Sequence, residues 1–306
     1  MLTQIKREYI MNELISKLTE KMPVKLNEPL SRHTTFKIGG AADIFAMPRT
    51  AEELVFAIKL CKENNIAYYI IGNGSNLLVR DKGFRGCIIR PDFKELTLDG
   101  NKITAGAGVM LSAAARLAAE NSLTGMEFAS GIPGTIGGGV CMNAGAYGGE
   151  LKDIIEYVKI LDKDLNIKTL SCEDAAFGYR TSGIMKSGAI VLETAFVLKK
   201  GNKAEITEKM NTLNAQRREK QPLEYPSAGS TFKRPEGYFA GKLIDDCGLR
   251  GFAVNDAQVS EKHCGFVVNK GNATAKDVLE LMDSVQKKVF DKFGVTLEPE
   301  VRIIGE

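Results

Sequence analysis

The clearest periodicity lies late in the chain, where Val278, Leu281, Met282, Val285, Val289 and Phe293 recur every three or four residues and Gly294 follows. That spacing predicts a long helix with one buried face and a glycine stop. At the other end, MLTQIKREYIMNELISKL reads as a short amphipathic helix, because Lys6, Arg7 and Glu8 stand where a secretory signal would carry its apolar run. AADIFAMP then predicts a strand, TAEELVFAIKLCKENN an amphipathic helix opened by a threonine cap, and IAYYIIG a buried strand, a small βαβ-like beginning. Short strands follow at LLVRD, GCIIRP and NKITAGAG, then an alanine-rich helix at LSAAARLAAENS. After a glycine-rich stretch from Ala129 to Gly149, strands return at EYVKILDKD, IKTLS and AIVLETAFVLKK. Through Lys200 the pattern is α+β with an irregular, glycine-lined middle. Gly201 and Asn202 mark a boundary, since a charged helix follows from Ala204 to about Gln221. The second unit then holds a helix near YFAGKLIDDCG, a strand at GFVVNKG, the periodic helix and a final strand in TLEPEVRIIGE.

A length of 306 residues allows about two domains, each with its own core. Hydrophobic residues make up 44% and charged residues 26%, the balance of a soluble globular chain, and no run approaches the ~18 apolar residues of a spanning helix. The net charge of +3 and a pI near 8.4 stay below the pI of about 9 that marks a nucleic-acid footprint. Six cysteines form no Cys-x-x-Cys pair and have only His33 and His263 beside them, so they read as free thiols of a reducing cytosol rather than zinc ligands. The one dense basic run, Arg217, Arg218 and Lys220, ends a helix; it reads either as a solvated end complementing the helix dipole or as an anion site.

Two segments suggest chemistry. In IIGNGSNLLVRD, Gly72, Asn73, Gly74, Ser75 and Asn76 can turn successive backbone N–H groups toward one point, a concavity suited to phosphate or simply a tight turn. A dinucleotide fingerprint of the G-x-G-x-x-G kind is not matched, because Leu77 occupies the third glycine position and a strand follows. The second segment, SGIPGTIGGGVCMNAGAYGGE, holds eight glycines between Gly131 and Gly149, with Ser130 and Asn143 as polar groups. Glycine costs about 0.5–1 kcal/mol relative to alanine in regular structure, and Ile132, Pro133, Ile136, Val140 and Met142 are too apolar for a solvated linker. A buried loop in contact with a ligand fits best. Two phosphate-suited segments about 60 residues apart suggest a dinucleotide with a pyrophosphate.

The ordered run HTTFKIGGAADIF, IIGNGSNLLVRD, GIPGTIGGGVCMNAGAYGGE, FGYRTS, AGSTFKRP, GKLIDDCGLRG and LEPEVRIIG, from about residue 31 to 304, resembles the UDP-N-acetylenolpyruvoylglucosamine reductase family. The resemblance implies an α+β flavoprotein with an FAD-binding fold of the vanillyl-alcohol-oxidase or p-cresol-methylhydroxylase type. Its divisions would be an N-terminal helical segment (1–30), an FAD domain (31–200) in subdomains of about 31–95 and 96–200, a smaller α+β substrate domain (201–297), and a C-terminal strand (298–306) returning to the flavin. It also implies non-covalent FAD, NADPH as co-substrate, and reduction of an enolpyruvyl ether on UDP-N-acetylglucosamine to UDP-N-acetylmuramate. The enzyme would be cytoplasmic and monomeric, without nucleic-acid or membrane partners. The flavin would contact Gly72, Asn73, Gly74, Ser75, Asn76 and Leu77 in the first segment. In the second it would contact Ser130, Gly131, Ile132, Pro133, Gly134, Ile136, Gly137, Asn143, Gly145 and Ala146.

Hydride arriving at the methylene carbon drives electrons toward the carboxylate, so the site needs donors around a developing enolate and an acid for the neighbouring carbon. Arg180 in FGYRTS, Ser230 in AGSTFKRP and Glu300 in LEPEVRIIG match the family's catalytic positions. Arg180 offers a carboxylate fork or a surface ion pair, and Ser230 a proton or merely a turn residue. Glu300 in a strand must be protonated or hydrogen-bonded to help an anion. Lys220 resembles a diphosphate-contacting lysine, and Lys233 and Tyr179 stand beside catalytic positions as further substrate contacts. His33 reads as structural and His263 carries no role. Only 50 residues separate Arg180 from Ser230, which resembles the short-loop subtype. An FAD-linked oxidase of the broader fold and a non-catalytic nucleotide-sugar binder are the alternatives.

Overall fold

Strands Leu96–Asp99, Lys102–Gly106, Ile155–Leu161, Ile167–Ser171 and Ile190–Val197 build an antiparallel sheet in which Ile190–Val197 is central and Ile167–Ser171 and Leu96–Asp99 are the edges. The computed structural model that shows this describes residues 2–306, with side chains from residue 10 onward. The first helix spans Leu2–Thr19, but its amphipathic reading rests on Lys6, Arg7 and Glu8, whose side chains lie outside the described residues. A second sheet runs in the order Val24–Pro29, Ala41–Ala46, Phe84–Ile89, Tyr68–Ile70. Tyr68–Ile70 is only half-buried, less than its apolar run suggests. No helix among the described residues is long and apolar enough to cross a membrane.

The chain forms two compact units that interleave along the sequence. The first comprises residues 1–25, 44–73 and 87–217. Within it, Thr50 accepts the amide of Glu53 and so caps helix Ala51–Glu63, which buries Leu54, Ala57, Ile58 and Cys61. Helix Leu111–Glu120 turns Leu111, Ala114, Ala115 and Ala118 inward, and the small alanines let its backbone come close to its neighbours. Helix Lys203–Lys220 is mostly exposed; Ile206 is its one fully buried residue.

The glycine-rich middle is more regular than its composition suggests. Helical turn Glu127–Gly131 and helix Ile136–Cys141 both lie within it. Gly137 and Gly139 resist helix formation intrinsically, but a methyl group on Gly139 would stand 2.8 Å from Leu111 Cδ1, and one on Gly137 3.0 Å from Ala107 Cβ. Packing therefore demands glycine where propensity alone would favour alanine. Thr135 caps the helix, accepting from Gly138 N at 3.5 Å.

The second unit comprises residues 26–43, 74–86 and 218–306. The periodic helix spans Ala275–Phe293, with a capping box between Thr274 and Asp277 at its start and left-handed Gly294 at its end. Asp81 adds a second cap, accepting from Ala275 N at 2.8 Å and Lys276 N at 3.0 Å. Val278, Leu281, Met282, Val285 and Val289 are buried as their spacing predicts, and Phe293 is partly so. Each such side chain contributes about 1.5–3 kcal/mol of burial. They cover a sheet ordered Ser227–Ser230, Phe266–Asn269, Ala257–Val259, Ala253–Val254, of which only the Phe266–Asn269 strand was evident in the pattern. The final strand, Arg302–Ile304, pairs in parallel with Leu77–Val79, immediately after the Gly72–Asn76 turn.

Candidate functional site

Within the first unit, Gly72 and Asn73, the start of the first glycine-rich segment, meet the second segment. Asn73 Nδ2 donates to Pro133 O at 2.7 Å, and a methyl group on Gly72 would collide with Thr135 Oγ1. In the turn itself no described residue accepts a hydrogen bond from the amides of Gly72, Asn73, Gly74 or Ser75, which leaves four successive donors for a ligand. Gly74 has φ +61°, and any side chain there would run into His33 O, so that glycine answers to the protein's own backbone. The His33 ring faces Glu28, with Nε2 to Oε1 at 2.8 Å.

The second segment divides into positions that hold the protein together and positions that do not. Ile136 N donates to Val109 O at 2.7 Å, Gly137 N to Ala107 O at 2.9 Å, and Gly134 O accepts from Leu111 N at 3.0 Å, so these three backbones are committed. Ile132 packs against the core and Ala146 pairs with Gly149. Gly145 is tight because a methyl group there would stand 2.6 Å from Gly149 O. Gly138 is different. It is exposed, lies in the first turn of helix Ile136–Cys141, and a methyl group on it would meet only Thr135 Oγ1, at 3.7 Å. Alanine would be favoured there by about 1 kcal/mol on helix propensity, so the protein itself supplies no reason for glycine. Free amides at Gly72 and Asn73 and an open face at Gly138, all in the first unit, are what a dinucleotide in close backbone contact requires, and the residues present therefore fit FAD. Gly138→Ala is expected to keep or raise the melting temperature while weakening FAD about 10-fold or more, read as the flavin-to-protein absorbance ratio after gel filtration.

Asn143 is fully buried at φ +44°. Its Nδ2 donates to Glu150 Oε2 (3.0 Å) and Gly178 O (3.1 Å), while its Oδ1 accepts from Lys152 N (3.0 Å). It thereby ties the glycine-rich segment to the turn that carries Arg180. In that turn Gly178 and Thr181 exchange backbone bonds of 3.0 and 3.4 Å, with Tyr179 and Arg180 between them. Arg180 sits at φ +53°, where such turns usually carry glycine or asparagine. Its Nη2 donates to Gly145 O at 3.0 Å, its Cζ lies 5.3 Å from the exposed Tyr179 ring, and its charge helps hold the Glu150 carboxyl below the usual range, after the larger effect of Lys152. Backbone strain of this kind collects at functional sites.

In the second unit the structure places Ser230 and Glu300 side by side through their backbones. Ser230 is exposed at the end of strand Ser227–Ser230, past a bulge at left-handed Gly229, φ +78°. The next residue, Thr231, accepts from Glu300 N at 2.9 Å through its carbonyl, and its Oγ1 accepts from Val267 N at 2.9 Å. Asn76 Nδ2 donates to Glu300 O at 3.1 Å, so this side chain also orients the Glu300 backbone. Glu300 lies just before the final strand rather than within it. Lys233 is engaged by Glu298 at 2.9 Å, an ion pair that lowers the Glu298 carboxyl. Lys220 is the exposed last residue of its helix.

Two positions had no assigned role in the sequence. Gly138 is hidden among neighbouring glycines that packing explains. Asn214 donates through Nδ2 to Ser130 Oγ at 3.2 Å, and Ser130 Oγ in turn donates to Glu127 O at 2.8 Å, so Ser130 is held by the helix above it.

Comparison with known proteins points to one family. Residues 42–171 match the family model described as FAD binding domain, and residues 221–304 match UDP-N-acetylenolpyruvoylglucosamine reductase, C-terminal domain. The UDP-N-acetylenolpyruvoylglucosamine reductase of Lachnoclostridium phytofermentans is 55% identical over 289 residues, covering 92% of this chain and 93% of that protein. That of Caldanaerobacter subterraneus is 51% identical over 297 residues, covering 96% and 98%. The crystal structure of the Thermus caldophilus enzyme superposes with a TM-score of 0.79 at 37% identity, covering 93% of this chain and 99% of that one.

Proposed function

The chain belongs to the UDP-N-acetylenolpyruvoylglucosamine reductase family, and from that premise we propose how its own residues carry the reaction. It is an oxidoreductase that uses FAD and NADPH to convert UDP-N-acetylenolpyruvoylglucosamine to UDP-N-acetylmuramate in peptidoglycan precursor synthesis. Family membership sets aside the oxidase and the non-catalytic binder. When bound, FAD supplies the hydride relay from NADPH to the methylene carbon of the enolpyruvyl group.

The chain's own groups do the rest. Residues 31–200 hold the flavin, 201–297 the nucleotide sugar, and 298–306 return toward the flavin turn. Ser230 donates the proton that the α-carbon needs once hydride has reached the methylene carbon. The Arg180 guanidinium and Glu300, the latter protonated or hydrogen-bonded, stabilise the enolate on the substrate carboxylate. Tyr179 and Lys233 orient the pyruvyl end, and Lys220 contacts the diphosphate. The observation that carries this reading is the bond from Glu300 N to Thr231 O at 2.9 Å, which brings two motifs 70 residues apart in sequence to one point of backbone. We place the enzyme in the cytoplasm, acting as a monomer without nucleic-acid or membrane partners.

The test is anaerobic rapid mixing. NADPH should bleach the bound flavin and the enolpyruvyl substrate should restore its colour. In Lys220→Ala the substrate KM should rise about 10-fold, most strongly at low salt, with bleaching by NADPH little changed. An unchanged KM at low salt would remove Lys220 from the diphosphate site, and failure of the substrate to restore colour in the unmodified enzyme would overturn the assignment as a whole.

A further inference from the structure

The basic run at the end of helix Lys203–Lys220 does not share one environment. Arg218 and Lys220 are exposed, whereas Arg217 is half-buried in the first unit. Its side chain lies along Gly131: a methyl group on that glycine would stand 3.1 Å from Arg217 Cδ and 3.5 Å from Nη1. Asn214, one turn earlier on the same helix face, reaches the same spot. Burial holds the guanidinium below the usual arginine pKa, and Tyr147 is the one ionisable group that faces it closely enough to oppose that shift. No carboxylate or carbonyl among the described residues accepts a hydrogen bond from it.

A guanidinium withdrawn from water with no acid beside it is costly, and proteins keep such a charge where an anion supplied from outside completes the pair. Its planar fork matches two oxygens of a phosphate. We infer that Arg217 binds a phosphate group of a nucleotide ligand against the Gly131 segment. The favoured source is the FAD diphosphate, because Gly131 begins the glycine-rich run whose Pro133 is hydrogen-bonded to Asn73 beside the free amides of the flavin turn. This inference rests on the flavin reading above; the substrate's diphosphate is the other source of the same chemistry.

The experiment compares Arg217→Met, which keeps the apolar stem and removes the charge, with Arg217→Lys, which keeps both. FAD dissociation constants are measured on the full-length holoenzyme from flavin fluorescence on dilution, and substrate KM is measured in the same preparations with excess FAD. Arg217→Met should raise the FAD Kd about 10- to 100-fold, and Arg217→Lys should lose clearly less. A packing role would erase that order, since methionine fills the space beside Gly131 as well as lysine does. If KM rose in Arg217→Met and the FAD Kd did not, the phosphate would be the substrate's and the flavin source overturned. If neither moved, or if methionine matched or surpassed lysine, the inference would be wrong. Should Arg217→Met not fold, Arg217→Gln carries the same comparison. Purification of the unmodified protein without flavin would instead sink the reading on which the inference rests.

Discussion

Replacing Ser230 by alanine is expected to slow the restoration of flavin colour by the enolpyruvyl substrate about 10²- to 10⁴-fold while leaving bleaching by NADPH near its normal rate. The two half-reactions separate because only the second places a proton on substrate carbon. A serine hydroxyl is a weak acid in water and needs a strongly basic, transient acceptor and nearby positive charge. The α-carbon of the enolate is such an acceptor. The structure adds a reason why the hydroxyl can be aimed: Gly229, at φ +78°, and the bulge on its strand turn Ser230 outward, while Thr231 is fixed on both sides by Glu300 N and Val267 N. Ser230→Cys keeps a donor and should lose less. If Ser230→Ala slowed bleaching and left colour restoration intact, the proton-donor role would be wrong.

Arg180 should show the second large effect, and it should come with an unusual stability pattern. Arg180→Ala or Arg180→Gln should lower kcat by about 10²- to 10³-fold, the worth of one oriented donor at a developing oxyanion. Lysine should recover only part, because it lacks the fork. Since φ is +53° at this residue, Arg180→Gly should be more stable than Arg180→Ala by about 1 kcal/mol and so melt at a higher temperature, although glycine ordinarily destabilises relative to alanine. Equal melting temperatures would mean the turn relaxes and stores no strain. Near-normal kcat in both variants would remove Arg180 from the chemistry.

The helices were legible where one chain segment carried the whole signal. Ala275–Phe293 shows its buried face as a period, its capping box as Thr274 and Asp277, and its stop as Gly294. Helix Ile136–Cys141 was not legible, because its glycines are chosen by Leu111 and Ala107, residues the local pattern does not contain. Strand Ser227–Ser230, spelled SAGS, has no β-branched residue and exists because Phe266–Asn269 offers it partners. The same distinction runs through the site. The motifs named Ser230, Glu300 and Arg180, but whether a polar side chain faces a ligand or the protein depends on long-range neighbours. The Asn143 side chain bonds Glu150, Gly178 and Lys152, and the Asn76 side chain donates to the Glu300 backbone, contacts that the local motifs do not spell out. Arg217 looked like its exposed neighbours Arg218 and Lys220 until Gly131 was found beside it.

The parallel pairing of Arg302–Ile304 with Leu77–Val79 sets an order of events during synthesis. A ribosome delivers Leu77–Val79 early and its partner strand more than two hundred residues later, a wait on the order of 10–50 s at ~5–20 residues per second. Throughout that interval three residues buried in the finished protein, Leu77, Leu78 and Val79, present an unpaired apolar edge, the kind of surface that chaperones shield and that neighbouring nascent chains can join. A message cut short before codon 302 would therefore cost more than a tail: it would leave the second unit without the strand that covers this edge.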